Sequence, residues 1–146
     1  MWRTITAGWL AAATIVVAAP APKDPPKKAP SILGEWSLVS NNGERWDPSD
    51  PLIETFGTDG KLVSRRRIDG REDQETCDYS VDVKSDPARL DYLYGPKGRR
   101  TEAIFKIEGD TLTICYAARN GPRPKEFVRD GTKTFLVVYE RVKSKD

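Results

Sequence analysis

The stretch from Thr101 to Ala117 reads TEAIFKIEGDTLTICYA, and its alternation of apolar and polar residues is the strongest indication of the fold. Apolar side chains recur at every second position on both sides of Gly109-Asp110, a pair typical of tight turns. The pattern therefore predicts a hairpin of two strands, 101–108 and 111–117. Strand parity places six of its residues on the face that meets a core: Ala103, Phe105, Ile107, Leu112, Ile114 and Tyr116.

The same short alternation of apolar and polar residues occurs in the rest of the chain from Ser31 onward. It predicts six further strands, at 34–40, 52–57, 61–68, 75–83, 89–94 and 132–141. Turn residues at Thr58-Asp59-Gly60 and at Ser85-Asp86-Pro87 join two more neighbouring pairs. No window of helical period is long enough to predict a helix. Eight sequential antiparallel strands predict an all-β fold, a small eight-stranded up-and-down barrel.

The chain of 146 residues divides into three parts. Residues 1–19 carry one cation, Arg3, and then the uncharged run ITAGWLAAATIVVAA, which is typical of a signal peptide. A buried helix and an uncleaved anchor are the alternatives for this run. Residues 20–30 (PAPKDPPKKAP) contain five prolines and three lysines and predict a stiff, solvated linker. Residues 31–146 are the predicted barrel domain of an exported protein, periplasmic or secreted, with no stable membrane span after cleavage.

Composition excludes several kinds of chemistry. The chain contains no histidine, which removes histidine-based triads, histidine-ligated zinc and an imidazole base. Its carboxylates lie singly in turns or on polar strand faces, so neither a glycosidase pair nor a calcium loop is predicted. Without residues 1–30, 20 cations face 21 anions, and bulk charge does not favour nucleic-acid binding. We therefore expect no enzyme activity, no catalytic or metal-binding residues and no cofactor.

The two cysteines are predicted on different faces of the sheet. In the fourth predicted strand Cys77, Tyr79, Val81 and Val83 form the inward apolar set, whereas the hairpin register turns Cys115 outward. A disulfide needs Cα atoms within about 7 Å and converging side chains. Two free thiols are therefore predicted, with Cys115 the more reactive. Export is the argument for a Cys77–Cys115 bridge, and a β-bulge in either strand would restore that alternative.

Four short motifs occur in a characteristic order between residues 33 and 141. They are Leu33-Gly34-x-Trp36-x-x-Val39-Ser40, Asp86-Pro87-x-x-Leu90-Asp91, Ile104-Phe105-x-Ile107-x-Gly109-Asp110-Thr111-Leu112-x-Ile114-Cys115-Tyr116 and Arg123-Pro124-x-x-Phe127. Together they resemble an uncharacterised lipocalin-like domain found in exported planctomycete proteins. One departure is visible: this chain has Glu102-Ala103 where the family usually has Gly before its Ile-Tyr pair. The resemblance implies a lipocalin-like barrel and, because that family has no established activity, it implies no function.

Three residues are candidates for ligand binding or for closing the barrel: Trp36, Arg66 and Arg123. Trp36 enters the first strand, where a large ring closes one end of a barrel. The resemblance to lipocalin barrels implies that the Arg123 guanidinium packs over this ring, the alternative being a solvated arginine. Parity within the run Arg65-Arg66-Arg67 turns at least one arginine inward, toward an anionic group. The alternative, favoured by the adjacent turn, is that all three are solvated.

Two functions are consistent with these features. The first is an exported lipocalin-like binding module for a small, largely apolar ligand, without catalysis. The alternative is a barrel plugged by its own aromatic side chains that acts as a structural or protein-interaction domain in the cell envelope. The volume of the barrel interior distinguishes them. The expected partners are a small apolar ligand or other exported proteins, without nucleic acid, and the protein is expected to be a monomer.

Overall fold

The computed structural model describes residues 31–119 and 121–143. The predicted signal peptide and linker, residues 1–30, lie outside the described residues. Within the described ranges every regular element is a β-strand. No helix with the length and hydropathy needed to cross a membrane occurs among them.

Nine strands form one antiparallel sheet in the described residues. They are β1 (Gly34–Asn41), β2 (Glu44–Arg45), β3 (Leu52–Phe56), β4 (Lys61–Ile68), β5 (Arg71–Asp82), β6 (Ala88–Tyr94), β7 (Arg99–Glu108), β8 (Thr111–Ala117) and β9 (Thr134–Arg141). From β3 to β9 each strand pairs with the next, and β1 pairs with both β3 and β9, which closes the sheet. The short strand β2 pairs with the end of β1. The predicted all-β class and the eight-stranded, lipocalin-like antiparallel barrel are confirmed.

The hairpin that decided the fold has the predicted register. Phe105 lies opposite Ile114, and Ala103 lies opposite Tyr116. Gly109 at the turn has a φ of 62°, a conformation that glycine adopts without a steric penalty. Ala103 and Ile114 are completely buried. The face assignment from parity is therefore confirmed.

Strand β5 is longer than the sequence pattern predicted. Its pairing with β4 continues to Ile68 opposite Arg71, directly after the Asp69-Gly70 turn. Residues 71–74 (REDQ), which precede the predicted strand, are polar and exposed, so no alternation marks them as a strand. Strand β2 was not predicted either, because it has only two residues and follows a tight turn at Asn42-Gly43.

The other end of β5 corrects the predicted inward set. Cys77 is buried and Tyr79 is partly buried against the core, but Val81 and Val83 are 41% and 69% exposed. The pairing between β4 and β5 ends with Lys61 opposite Asp78. Beyond that point β5 has lost one neighbouring strand, so its side chains are no longer covered on that side.

One end of the barrel, near Gly34 and Phe56, is closed by packed side chains and is called the closed end below. Trp36 is completely buried there, and its Nε1 donates to the Ile32 carbonyl at 2.7 Å. The core extends from this end along the inner faces of the strands. Its buried residues are Ile32, Trp36, Leu38, Phe56, Leu62, Cys77, Leu90, Tyr92, Ala103, Phe105, Leu112, Ile114, Val137 and Tyr139.

The connection between β8 and β9 covers the outer face of the sheet and changes the environment of Cys115. Cys115 lies on the outer face, as predicted, with its Sγ 3.6 Å from the Val128 carbonyl. It is nevertheless completely buried, so the prediction that it is the more accessible thiol is wrong. Both cysteines are free, and Cys77 is also buried. The connection between β8 and β9 shields the outer face at this point. Alternation within the strands gives no information about such a connection.

Candidate functional site

A cavity of about 250 Å³ occupies the half of the barrel opposite the closed end. Its walls combine hydroxyl groups, aromatic rings and one carboxylate. The lining residues are Leu38, Asn41, Trp46, Leu52, Glu54, Tyr92, Tyr94, Thr101, Tyr116, Val137 and Tyr139. These residues come from six strands, β1, β3, β6, β7, β8 and β9, and from the connection after β2. The cavity therefore exists only because the sheet closes.

Glu54 is the charged group of this cavity. Along β3, Leu52, Glu54 and Phe56 share the inner face, and Glu54 lies opposite Ser64 of β4. The Ser64 hydroxyl is 3.4 Å from Oε1, whereas the buried Oε2 has no hydrogen-bond partner. Burial raises the pKa of Glu54 to about 7, and the long hydrogen bond from Ser64 only partly offsets this effect. The carboxyl is therefore divided between its two protonation states at neutral pH.

Four tyrosines surround this carboxyl group. They are Tyr92 and Tyr94 of β6, Tyr116 of β8 and Tyr139 of β9. Burial raises the pKa of each hydroxyl, so all four are neutral at physiological pH. The rings of Tyr92 and Tyr94 are stacked with centroids 6.2 Å apart. The cavity thus offers apolar ring faces together with hydroxyl groups that both donate and accept hydrogen bonds.

A second unpartnered acceptor lies in the same cavity. Asn41, at the end of β1, has a buried Oδ1 without a hydrogen-bond partner. A buried polar atom that lacks a partner destabilises the fold by about 1 to 3 kcal/mol. Asn41 Oδ1 and Glu54 Oε2 are the two such side-chain atoms in the described part of the chain. Both residues line the cavity, which is large enough to hold a small molecule.

The mouth of the cavity is bordered by the connection that follows β2, and Arg66 lies there. Trp46 Nε1 donates to the Asp50 carbonyl at 2.6 Å, which fixes its ring. The Arg66 guanidinium lies 5.4 Å from the centre of that ring and pairs with Asp50 at 2.8 Å. Arg65, Arg66 and Arg67 are all exposed, so the solvated alternative describes this run. Arg66 lies on the same, inner side of β4 as Ser64, but it is at the rim of the cavity.

Arg123 does not contact Trp36, which corrects the expectation derived from lipocalin barrels. It lies on the outer face of β6 and β7, where Nη2 contacts Asp91 at 2.5 Å and Glu102 at 3.1 Å. Its Nη1 donates to the Ala103 carbonyl at 2.6 Å. These contacts attach the connection between β8 and β9 to the barrel. Arg123 therefore has a structural position away from the cavity.

A different arginine lies over Trp36. Arg141, at the end of β9, has its guanidinium carbon 4.0 Å from the centre of the indole ring. Its Nη1 also donates to the Leu33 carbonyl at 3.0 Å. The two residues meet because Trp36 and Arg141 are partners in the β1–β9 pairing that closes the barrel. The Trp36 side chain thus closes the barrel end, as predicted for this position, and does not line the cavity.

Sequence reasoning did not select the cavity residues. The sequence signal for this cavity was Glu54, an acidic residue that alternates with Leu52 and Phe56 and therefore lies on the inner face of β3. The tyrosines carry no such signal, since alternating tyrosines are also ordinary core residues. Within the described ranges, no three Asp, Glu or Cys side chains are grouped as a metal site would need. No known protein family and no curated protein matches this chain.

Proposed function

We propose that this protein is an exported binding module whose barrel cavity holds a small ligand with an apolar body and one polar end. The observation that carries the proposal is a cavity of about 250 Å³ inside the barrel, with tyrosine rings around a buried carboxylate. Interior cavities of small barrels are common ligand sites. The carboxylate and hydroxyl groups select a ligand with a polar end over a wholly apolar one.

The cavity supports binding over a role as a plugged structural barrel. Plugging requires aromatic side chains to fill the interior, but Phe127 lies on the outer connection, with its ring centre 5.4 Å from the Lys106 amine. Phe135 stacks on the cavity residue Tyr116 with ring centroids 5.3 Å apart, and about 250 Å³ of the interior remains open. An open interior of this size favours binding over the plugged alternative.

Export is the second part of the proposal. It is supported by the uncharged run in residues 1–19 and by the small residues that end it. We expect the mature protein to begin between Ala19 and Pro22 and to be recovered outside the cytoplasm. N-terminal sequencing of the protein from each cell fraction tests this. A cytoplasmic protein that starts at Met1 would contradict it.

Binding is tested by NMR titration with benzylamine, benzyl alcohol and benzoate, three probes of similar size and different charge. At least one probe should shift the backbone amide signals of Tyr92 and Tyr116, which line the cavity from different strands. Thr101→Trp places a large ring at the cavity wall and should abolish the shifts.

The matched control is Thr76→Trp, because Thr76 is exposed on the outer face of β5. This variant should bind like the wild type. If no probe shifts these signals at millimolar concentration, or if Thr101→Trp binds as well as Thr76→Trp, the cavity is not a ligand site.

A further inference from the structure

The charge of the cavity restricts the kind of ligand it can hold. Among the described residues no lysine or arginine forms an ion pair with Glu54, although other acids of the sheet have such partners. Arg66, on the same parity, is paired with Asp50 at the rim. A buried carboxylate is stabilised by an opposite charge or by donors. The cavity therefore lacks the positive group that its carboxylate requires.

The unpartnered hydrogen-bond acceptors of the cavity also favour a ligand that donates hydrogen bonds. Glu54 Oε2 and Asn41 Oδ1 are acceptors without donors, and both line this one cavity. A protonated primary amine has three N–H donors and no acceptor. An anionic or purely accepting ligand would leave both oxygens unsatisfied and would add repulsion from Glu54.

The aromatic lining also favours a cation. Four tyrosine rings and the Trp46 ring surround the carboxylate. Aromatic faces attract cations, more strongly where water is excluded. Trp46 already holds the Arg66 guanidinium 5.4 Å from its ring centre, so a ring of this cavity is in use as a cation contact.

The volume sets the size of the ligand. A water molecule occupies about 30 Å³ in the liquid, so 250 Å³ corresponds to about eight waters. A molecule of about that many heavy atoms fits, and a long-chain lipid does not.

Resting on the proposed binding function, we infer that the ligand is a small organic cation, a primary amine with a short apolar body. Its ammonium group pairs with the Glu54 carboxylate and donates to the Asn41 side chain, and its apolar body packs between the tyrosine rings. No bond is made or broken. Binding to the protonated form of Glu54 displaces the carboxyl proton to solvent, so the affinity depends on pH.

The direction of that dependence follows from the groups that face Glu54. These are Cys77 of β5 and the four cavity tyrosines, and burial keeps all five neutral near pH 7. The charged side chains on the inner-face parity of β4 and β5 are Arg66, which is paired with Asp50, and Arg71, Asp73 and Glu75. Glu54 is therefore the group that titrates. Because the pKa of Glu54 is about 7, the affinity for an amine that stays protonated should rise between pH 5.5 and pH 8.

The test compares benzylamine with its neutral isostere, benzyl alcohol, by calorimetry at both pH values. At pH 8 benzylamine should bind at least tenfold more tightly than benzyl alcohol, and its affinity should fall at least tenfold at pH 5.5. Glu54→Gln should remove that preference and its pH dependence while benzyl alcohol still binds, which also demonstrates that the variant folds. Glu126→Gln, at an exposed glutamate, is the matched control and should behave like the wild type.

The outcomes separate the inference from the function on which it rests. Binding of benzyl alcohol or benzoate as tight as that of benzylamine would overturn the cation inference and leave the binding function standing. So would an affinity for benzylamine that Glu54→Gln does not change. Binding of none of the three probes would overturn both.

Discussion

Replacing Glu54 by glutamine should remove most of the pH dependence of stability between pH 5 and pH 8. Burial raises the pKa of this carboxyl from 4.5 to about 7 in the folded protein, and the unfolded chain retains the ordinary value. Between these two values the folded state binds more protons than the unfolded state. The free energy of unfolding therefore falls as the pH rises through this window. At about 1.4 kcal/mol for each pKa unit, the whole fall is about 3 kcal/mol.

The effect of Glu54 is unusually well isolated in this chain. There is no histidine, so no imidazole titrates in the same window. Hydrogen bonds from Ser49 and Ser85 lower the pKa values of Asp47 and Asp82, which moves their titration further from this window. The change between pH 5 and pH 8 thus reports on one buried group.

Urea unfolding curves at pH 5, 6, 7 and 8 measure this change. The wild type and the exposed-site variant Glu126→Gln should both lose about 2 to 3 kcal/mol of unfolding free energy between pH 5 and pH 8. Glu54→Gln should give a nearly flat profile. A Glu54→Gln protein that remains as pH-dependent as the wild type would refute the assignment, and so would a wild type that gains stability with rising pH.

Three other substitutions or treatments test the structure. Trp36→Ala should lower the unfolding free energy by about 3 to 5 kcal/mol, because the ring is completely buried; a urea melt with a smaller loss than 1 kcal/mol would contradict its closing role. Arg123→Ala removes one of the two arginines that contact the mostly buried Asp91, together with the hydrogen bond to the Ala103 carbonyl, and should be destabilising by about 2 kcal/mol, whereas exposed Lys125→Ala should be near neutral in the same melts. Maleimide should titrate two thiols in denaturant without reductant and neither of them rapidly in the folded protein, since burial raises the pKa of Cys77 to about 11 and also raises that of Cys115; zero thiols would mean a disulfide.

The barrel was predictable from the sequence because its signals are local. Alternation with a period of two assigns the strands, and turn residues such as Gly109-Asp110 fix the neighbouring register. Each strand pairs mainly with the next one along the chain, so local patterns were sufficient for the topology. The pattern failed at residues 71–74, because a strand that is polar on both faces shows no alternation of apolar and polar residues.

The cavity was not predictable in the same way, because its residues come from strands far apart in the chain. Parity can place Glu54 on the inner face, but only closure of the sheet shows that β6, β8 and β9 surround it with tyrosines. The elevated pKa of Glu54 arises from that enclosure and not from its neighbours in sequence.

Eight strands, their order and the faces of the central hairpin were predictable from the sequence alone, since these depend on residues close together in the chain. Only the folded chain shows which arginine covers Trp36. Both Arg123 and Arg141 have the required side chain, but Arg141 is the partner of Trp36 where β9 pairs with β1. The connection between β8 and β9 also buries Cys115, on a face that strand alternation predicted to be exposed to solvent. Contacts made by closing a barrel join its first and last strands, and no local pattern contains the position at which they meet.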